Sequence, residues 1–186
     1  MEKIISLFKR NYDGDRLVRD EIVEGAEWVV NGEGVATRKI DGTSCLVQDG
    51  RLYKRYDAKK GRTPPTDFLP AQPEADPIAG HWPGWVPVRD DRPDDRYHIE
   101  AFEESLPDGT YELLGPKVQG NPEGFERHTL VRHGAETVEA PRNFDALKAW
   151  LAERDIEGLV WHHPDGRMVK IKKKDFGLSR KPAVIA

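Results

Sequence analysis

Two Asp-Gly dipeptides constrain the fold of this 186-residue chain more strongly than any other feature of its sequence. They are Asp49-Gly50 and Asp165-Gly166, and each stands between two runs of strand-forming residues. The flanking runs are residues 43–48, 51–56, 157–162 and 167–172. Because Asp-Gly readily adopts the positive φ angles of a tight hairpin turn, this arrangement predicts two antiparallel strand pairs.

Further strands and two helices are expected along the chain. The additional strand-like segments are residues 27–30, 34–39, 109–115 and 129–133, whereas residues 1–26 are expected to be irregular or partly helical. Phe144, Leu147 and Leu151 recur at helical spacing and predict a helix over residues 144–154, with Asn143 as its cap. A shorter helix is expected within residues 97–106.

Residues 57–95 differ in composition from the rest of the chain. They hold more than half of the 14 prolines, together with Trp82 and Trp85. A structureless segment of this length is uncommon in a compact domain and is usually functional or disordered, and the two tryptophans argue against simple disorder. We expect a long proline-rich loop inserted in a single domain that spans residues 1–186. This loop either helps to shape a cleft or only covers the body of the domain.

Composition limits the class of protein. With 37% hydrophobic and 33% charged residues, the chain is polar but able to bury a core. Its net charge of −4 excludes a simple basic nucleic-acid binder, so any such site must come from local clusters of Lys and Arg. No apolar run approaches the ~20 residues of a membrane span, and the first residues lack the pattern of a signal peptide. Cys45 is expected to be a small core residue in a cytoplasmic protein.

A lysine motif ends the strand-like run at residues 34–39. Lys39 is followed by Asp41 and Gly42 in the pattern Lys-x-Asp-Gly. If the run stays extended, Lys39 and Asp41 point to the same face, and Gly42 lets the backbone turn or approach a ligand closely. A neutral lysine amine can attack phosphorus or a carbonyl carbon. The same tetrapeptide is also typical of a surface turn, so the motif alone leaves both interpretations open.

Other charged residues are predicted on strands, namely Glu112, Glu157, Lys170, Lys172 and the pair Lys54-Arg55. Lys170 and Lys172 share one face of a strand whose other face is apolar, which suggests a phosphate site. Two carboxylates on other strands suggest a divalent cation such as Mg²⁺. A solvated basic edge that protects the last strand is the alternative. The chain lacks both the Gly-x₄-Gly-Lys-Ser/Thr loop and the Gly-x-Gly-x-x-Gly fingerprint of other nucleotide sites.

The order of these motifs resembles that of the covalent nucleotidyltransferases, which comprise polynucleotide ligases and mRNA capping enzymes. The matching stretches are Lys39-Ile40-Asp41-Gly42, Lys54-Arg55, Tyr111-Glu112, Glu157-Gly158-Leu159-Val160 and Lys170-Ile171-Lys172. The resemblance implies an α+β fold of two antiparallel β-sheets with flanking helices around a nucleotide cleft, a ligase-type, ATP-grasp-like nucleotidyltransferase domain. Because few residues follow Lys172, we expect no oligonucleotide-binding-fold domain. The chain is most similar to a minimal ATP-dependent RNA ligase.

The resemblance also implies a role for each matching residue. Lys39 would be the nucleophile that takes the nucleoside monophosphate as a phosphoramidate. Glu157 would bind the metal, and Glu112 would contact the ribose or the metal. Lys170 and Lys172 would contact the α-phosphate. The other nucleotide-binding positions implied are Arg38, Asp41, Lys54, Arg55, His133 and Val160, of which the last two would flank the base.

The function implied is ATP-dependent joining of 5′-phosphate and 3′-hydroxyl RNA ends through a lysyl-AMP intermediate and an adenylated RNA end, as in cytoplasmic RNA repair. The cofactors would be ATP and Mg²⁺ or Mn²⁺. A capping-type guanylyltransferase that uses GTP is one alternative. A non-catalytic sensor of nucleotides or RNA ends is the other, and binding without covalent transfer would mark it.

Overall fold

The computed structural model describes residues 1–180, which form two compact units. The first unit comprises Met1–Lys3 and Asp41–His133, and the second comprises Ile4–Ile40 and residues 134–180. Several sheets and a few short helices build them, which confirms the mixed α+β class. The predicted single domain includes residues 181–186, which lie outside the described residues, and a single-domain organisation stays a prediction.

The described residues contain twelve strands and three α-helices. The strands are β1 (Ile5–Ser6), β2 (Phe8–Arg10), β3 (Val18–Ile22), β4 (Val35–Lys39), β5 (Thr43–Gln48), β6 (Arg51–Ala58), β7 (Leu69–Pro70), β8 (Trp82–Pro87), β9 (Gly109–Leu114), β10 (Thr129–Arg132), β11 (Gly158–His162) and β12 (Met168–Lys172). The helices are α1 (Glu27–Val30), α2 (Arg96–Ala101) and α3 (Phe144–Ala152), and 3₁₀ turns cover Pro93–Asp95 and Lys173–Phe176. No helix among them has the length and apolar character needed to cross a membrane.

The first unit is built on a six-stranded sheet in the order β10-β9-β5-β6-β8-β7, with every neighbouring pair antiparallel. The hairpin β5–β6 is the one that Asp49-Gly50 predicts, and both turn residues have positive φ angles. One face of the sheet is buried in a core that includes Cys45, Val47, Leu52, Tyr111 and Leu113. Because successive residues of a strand alternate faces, Glu112 and Arg55 lie on the opposite face.

Cys45 is fully buried in this core, which confirms the expected core residue. Burial, and after it the nearby charge of Glu112, raises the pKa of the Cys45 thiol. The thiol therefore stays protonated and does not act as a nucleophile.

The second unit is built on a four-stranded sheet in the order β1-β12-β11-β4. β11 and β12 form the antiparallel pair that Asp165-Gly166 predicts, β4 pairs with β11, and β1 adds a short parallel edge. One face packs with α3 into a core that includes Ala36, Leu147, Leu151, Leu159, Trp161, Val169 and Ile171. The alternate residues Lys170 and Lys172 lie on the other face, which confirms their predicted side of the strand.

Helix α3 confirms the helix predicted over residues 144–154. The Asn143 side chain accepts a hydrogen bond from the Ala146 N–H at 2.9 Å and caps the first turn, as expected. Leu147 and Leu151 are fully buried. Helix α2 and strands β9 and β10 likewise confirm the elements predicted there.

Two predictions for the beginning of the chain are wrong. Residues 27–30 form helix α1 instead of a strand, because the adjacent side chains of Trp28 and Val29 both enter the same core, which strand alternation does not allow. Residues 1–26 contain strands β1, β2 and β3 rather than irregular or helical structure, and β2 pairs with β3. These strands are two to five residues long, too short to show a periodic pattern in the sequence.

The loop predicted over residues 57–95 is partly a strand. β8 lies between β6 and β7 in the six-stranded sheet, with Trp85 and Val86 buried. A Cβ atom at Gly84 would overlap the ring of Phe68, so glycine makes room for that ring. Pro83 and Pro87 conceal the strand in the sequence, because proline lacks an N–H group and is rare inside sheets.

Candidate active site

At one edge of the four-stranded sheet, β4 and β12 end and β11 begins, and two predicted site lysines lie there side by side. Lys39 of β4 and Lys172 of β12 are both register partners of Gly158, on the strand between them. Residues that face each other across a sheet share one side of it. A Cβ atom at Gly158 would overlap the carbonyl oxygen of Ile171, so only glycine fits this backbone without a shift. Two lysines thus flank a position that has no side chain.

Lys39 forms an ion pair with the residue that precedes this glycine. Its Nζ atom lies 2.7 Å from Oε2 of Glu157, and both side chains are about one-fifth to one-quarter exposed. The structure therefore brings the predicted nucleophile together with the predicted metal ligand, although 118 positions separate them in the sequence. The pair is half-buried, so solvent and a ligand can both reach it.

Lys170 and Lys172 lie on the same face of this sheet as Lys39. The pKa of Lys170 is lowered to about 8, first by burial and then by the ammonium groups of Lys172 and Lys39, against the opposing charges of Asp175 and Glu157. The pKa of Lys172 is also lowered, first by burial and then by Lys174. The balance of charge at this face is positive, and a bound anion would relieve the repulsion between the lysines.

Val160 occupies the next row of the same face. Its register partners are Thr37 and Lys170, and its side chain is almost completely buried. The buried Thr37 hydroxyl donates to the Val160 carbonyl at 3.0 Å, and its oxygen lies 3.0 Å from Nε2 of His162. Sequence reasoning missed Thr37 and His162. The position of Thr37 two residues before Lys39 was the available signal, because strand residues two apart share a face.

A buried carboxylate in the 3₁₀ turn that follows β12 was also missed. Asp175, only 1% exposed, accepts a hydrogen bond from the Lys172 backbone N–H at 2.8 Å and forms an ion pair with Arg10. Next to it, the buried Lys173 ammonium donates to the carbonyl oxygen of Arg154 at 2.6 Å, just after α3. The segment that follows the two site lysines is thereby fixed at two points.

In the first unit, each oxygen of the Glu112 carboxylate accepts a hydrogen bond. Its Oε1 atom accepts a hydrogen bond from the Gly42 N–H at 3.1 Å, and its Oε2 atom accepts one from His133 Nε2 at 2.6 Å. The structure thus brings together Glu112 and His133, which are both predicted site residues. A Cβ atom at Gly42 would overlap the Leu113 carbonyl oxygen, so glycine lets this backbone pass close to β9, and the expected close approach of a ligand stays a prediction.

Asp41 does not continue the alternation that begins at Lys39. Strand β4 ends at Lys39, so the expected common face of Lys39 and Asp41 does not follow from strand geometry. The Asp41 N–H donates a hydrogen bond to Oε1 of Glu123 at 3.0 Å. Glu123 lies on the loop between β9 and β10, and sequence reasoning missed it.

Comparisons with known proteins place the chain in a family. The family model described as RNA ligase 1 matches residues 92–184, half of the chain. The RNA ligase 1 of Danio rerio is 30% identical over 218 residues, and the match covers 77% of the present chain and 67% of that protein. The chain belongs to the RNA ligase 1 family. The RNA ligase 1 proteins of Pongo abelii and Rattus norvegicus are 28% identical over 222 residues, with the same coverage.

The RNA ligase 1 family match contains most of the predicted site. Glu112, His133, Glu157, Val160, Lys170 and Lys172 lie within the matched residues. The predicted site residues that precede that range are Arg38, Lys39, Asp41, Lys54 and Arg55. The match therefore covers the two glutamates predicted to bind the metal or the ribose, and the two lysines predicted to bind phosphate.

In this RNA ligase 1 family member, Arg38 and Lys54 each lie on the sheet face opposite to the predicted strand residues of their own unit. Arg38 alternates with Lys39 and projects from the other face of β4, where Nη1 lies 3.4 Å from Oε2 of Glu136. Lys54 is on the buried face of its sheet and forms an ion pair with Asp95, which is fully buried. Burial acts to raise the pKa of Asp95, but Lys54 and the Arg89 N–H hold it below its ordinary value.

Arg55 lies on the same face as Glu112 and is held by three neighbours. Its Nε atom donates to Asp57 at 2.9 Å, and Nη1 donates to the Met1 carbonyl oxygen at 2.8 Å. Its guanidinium also lies over the Trp85 ring, 5.1 Å from the centroid. These contacts give the side chain a fixed position.

The predicted metal ligands suit a magnesium ion only in part. Mg²⁺ is commonly bound by one or two carboxylates together with substrate phosphates and water. Glu157 fits this pattern as a half-buried single carboxylate, whereas both oxygens of Glu112 already accept hydrogen bonds. Within residues 1–180, no group of three or more His, Cys, Asp or Glu side chains is arranged to hold a metal.

Proposed function

We propose that this protein is an ATP-dependent RNA ligase of the ligase-type, ATP-grasp-like fold that joins 5′-phosphate and 3′-hydroxyl RNA ends. Membership of the RNA ligase 1 family supports the RNA ligase activity. The observation that carries the chemistry is the Lys39–Glu157 ion pair on the sheet face that also holds Lys170 and Lys172. That face offers an amine nucleophile next to cations that attract phosphate. We place this activity in cytoplasmic RNA repair.

In the first step, Nζ of Lys39 attacks the α-phosphorus of ATP, which is a substrate of the reaction. The ammonium first loses a proton to solvent, an N–P bond forms while the P–O bond to pyrophosphate breaks, and the nitrogen then releases a second proton to solvent. Lys170 and Lys172 attract the α-phosphate oxygens and stabilise the negative charge that they carry in the transition state. The product is AMP joined to Lys39 as a phosphoramidate.

The next two steps move AMP to the RNA and then release it. A 5′-phosphate oxygen of the RNA attacks the lysyl-bound phosphorus, the N–P bond breaks, and the Lys39 amine regains a proton. A 3′-hydroxyl then attacks the 5′-phosphate, loses its proton and displaces AMP. The result is a phosphodiester bond between the two RNA ends.

A divalent cation, Mg²⁺ or Mn²⁺, would be held by Glu157. When bound, such an ion neutralises charge on phosphate oxygens. The Glu157 carboxylate also holds the Lys39 ammonium in the described structure, so one residue would serve both the amine and the ion. By resemblance, Glu112 would contact the ribose or the ion, and its bond to His133 would keep its orientation.

The remaining nucleotide contacts rest on the resemblance. Val160 and His133 would flank the base, and Arg38, Asp41, Lys54 and Arg55 would contact the nucleotide. Support is weakest for Lys54, because leaving Asp95 unpaired in the buried side of the sheet would be costly.

Covalent labelling tests the proposal. The purified protein is mixed with Mg²⁺ and either α-labelled ATP or α-labelled GTP, and the denatured chain is examined for label. We expect label from ATP. Label from GTP alone would favour the capping-type guanylyltransferase, and binding of nucleotide without covalent label would favour the sensor.

The choice of nucleic acid is tested separately. Matched RNA and DNA nicks are offered to the protein at equal salt, since phosphate contacts weaken as salt rises. We expect RNA to be sealed well and DNA poorly, because 2′-hydroxyl contacts distinguish the two. Equal or faster sealing of DNA would contradict the RNA ligase assignment.

A further inference from the structure

The loop between β9 and β10, residues 115–128, has a geometry built around Asn121. This residue adopts a left-handed conformation with a φ of 54°. Its side-chain amide donates to the Phe125 carbonyl oxygen and accepts from the Phe125 N–H, both at 3.0 Å. Gly120 and Gly124, on either side, also have positive φ angles. Asn121 therefore fixes the course of the loop at its tip.

This loop delivers Glu123 to the backbone of the lysine motif. Oε1 of Glu123 accepts from the Asp41 N–H at 3.0 Å, and Oε1 of Glu112 accepts from the next amide, Gly42, at 3.1 Å. Two carboxylates from different elements thus hold two successive amides. The backbone two residues after Lys39 is therefore tightly restrained.

We propose that Glu123 is a positioning residue, which fixes the Asp41 backbone and through it the geometry of the motif that carries Lys39. This inference rests on the proposed function, in which Lys39 is the nucleophile. Glu123 acts through the Asp41 amide and not on the substrate. What matters is that Glu123 places an acceptor oxygen next to the Asp41 N–H, and its negative charge is not required.

This distinction separates positioning from direct participation. Glutamine keeps an acceptor oxygen at the same distance from the backbone but removes the charge. A general base or a metal ligand would not tolerate this change, whereas an acceptor for a backbone amide would. Alanine removes the acceptor altogether. The matched control is Glu126→Ala, which removes an exposed glutamate from the same loop.

The kinetic test measures the rate of covalent labelling from α-labelled ATP over a range of ATP concentrations. For Glu123→Ala we expect a maximal rate about tenfold lower, with little change in the ATP concentration that gives half of it. Glu123→Gln should stay within about threefold of the unmodified protein, and Glu126→Ala should match it. An unchanged rate in Glu123→Ala would overturn the proposal, as would a Glu123→Gln variant as slow as Glu123→Ala.

A second readout does not depend on activity. Hydrogen exchange of the Asp41 amide, followed by NMR, should be about tenfold faster in Glu123→Ala and nearly unchanged in Glu123→Gln. Unchanged exchange in Glu123→Ala would contradict the restraint itself. If exchange changes as expected but the unmodified protein takes no label from ATP, the proposed function fails while the restraint at Asp41 stands.

Asn121 should act through Glu123, which a double-mutant cycle can test. Asn121→Ala removes both bonds to Phe125 and disfavours the left-handed backbone, so it should slow labelling to a similar extent. If Asn121 only places Glu123, the double variant Asn121→Ala/Glu123→Ala should be no slower than the slower single variant. Additive losses would show that Asn121 acts independently of Glu123.

Discussion

Two pairs of basic residues on strands look alike in the sequence but have opposite environments. On β6, Lys54 pairs with the fully buried Asp95, and Arg55 is held by Asp57, the Met1 carbonyl and the Trp85 ring. On β12, Lys170 and Lys172 form no ion pair with any described residue. Burial and then neighbouring ammonium groups lower the pKa of both.

The difference shows what a partner does to a buried charge. The Lys54–Asp95 pair is internally compensated, so it attracts no further ion, whereas removal of one partner would leave a buried charge unpaired. The lysines of β12 remain uncompensated, which costs stability in the absence of a ligand. Buried charges that lower the stability of the folded protein are typical of a binding site, where function is retained at the expense of stability.

The largest effect is expected when the nucleophile is removed from the uncompensated face. Lys39→Ala should take no covalent label from ATP, because only an amine at this position can form the phosphoramidate. Lys39→Arg should fail as well, since a guanidinium does not deprotonate in a protein. Labelling is read on the denatured chain, with circular dichroism to confirm folding. Lys148→Ala, which removes an exposed lysine from α3, is the matched control and should label normally. Substantial label on Lys39→Ala would remove the basis of the mechanism.

Breaking the compensated pair should instead affect folding. Lys54→Met leaves the Asp95 carboxylate buried without its ammonium partner, and we expect the free energy of unfolding to fall by about 3 to 5 kcal/mol. Urea unfolding measures this change. The double variant Lys54→Met/Asp95→Leu should recover much of the loss, because no buried charge remains. A neutral effect of Lys54→Met would mean that Asp95 is solvated and that Lys54 is available to a ligand.

This contrast also marks the limit of what the sequence could predict. Asp-Gly turns predicted both hairpins, and alternation predicted the face of Lys170 and Lys172, because these signals are local. The pairing of Lys54 with Asp95 was not predictable, since 41 positions separate them and burial of Asp95 depends on the whole unit. Glu123 was missed for the same reason, because 82 positions separate it from the Asp41 amide that it meets in the folded chain. Asp175 is different, since it caps the Lys172 amide only three residues away, and this local signal was overlooked.

Removing one uncompensated lysine should stabilise the protein. The folded-state pKa of Lys170, about 8, lies below the value of about 10.4 for an unfolded lysine. Below pH 8 Lys170 is charged in both the folded and the unfolded protein. The free-energy cost of burying this charge near other cations therefore fully destabilises the folded protein. Lys170→Met should therefore raise the free energy of unfolding at neutral pH by about 1 to 3 kcal/mol while it slows labelling. The gain should disappear as pH rises from about 8 to about 10.4, where the unmodified folded protein has lost this charge. Urea unfolding at several pH values checks the sign, and destabilisation by Lys170→Met at neutral pH would contradict it.

The smallest effect is the pH dependence of ATP binding. Lys170 loses its charge as pH rises through about 8, and its attraction for phosphate is lost with it. The ATP concentration that gives half-maximal labelling should therefore increase about threefold to tenfold between about pH 7 and about pH 9. The charged groups that act on Lys170 are Lys172, Lys39, Glu157 and Asp175, and the two carboxylates oppose the effect of the two lysines. In Lys170→Met this concentration should start higher and vary little with pH, whereas Lys148→Met should behave like the unmodified protein. A pH dependence that persists in Lys170→Met would assign the titrating charge to another group, and the contrast between the two basic pairs would then rest on Lys172 alone.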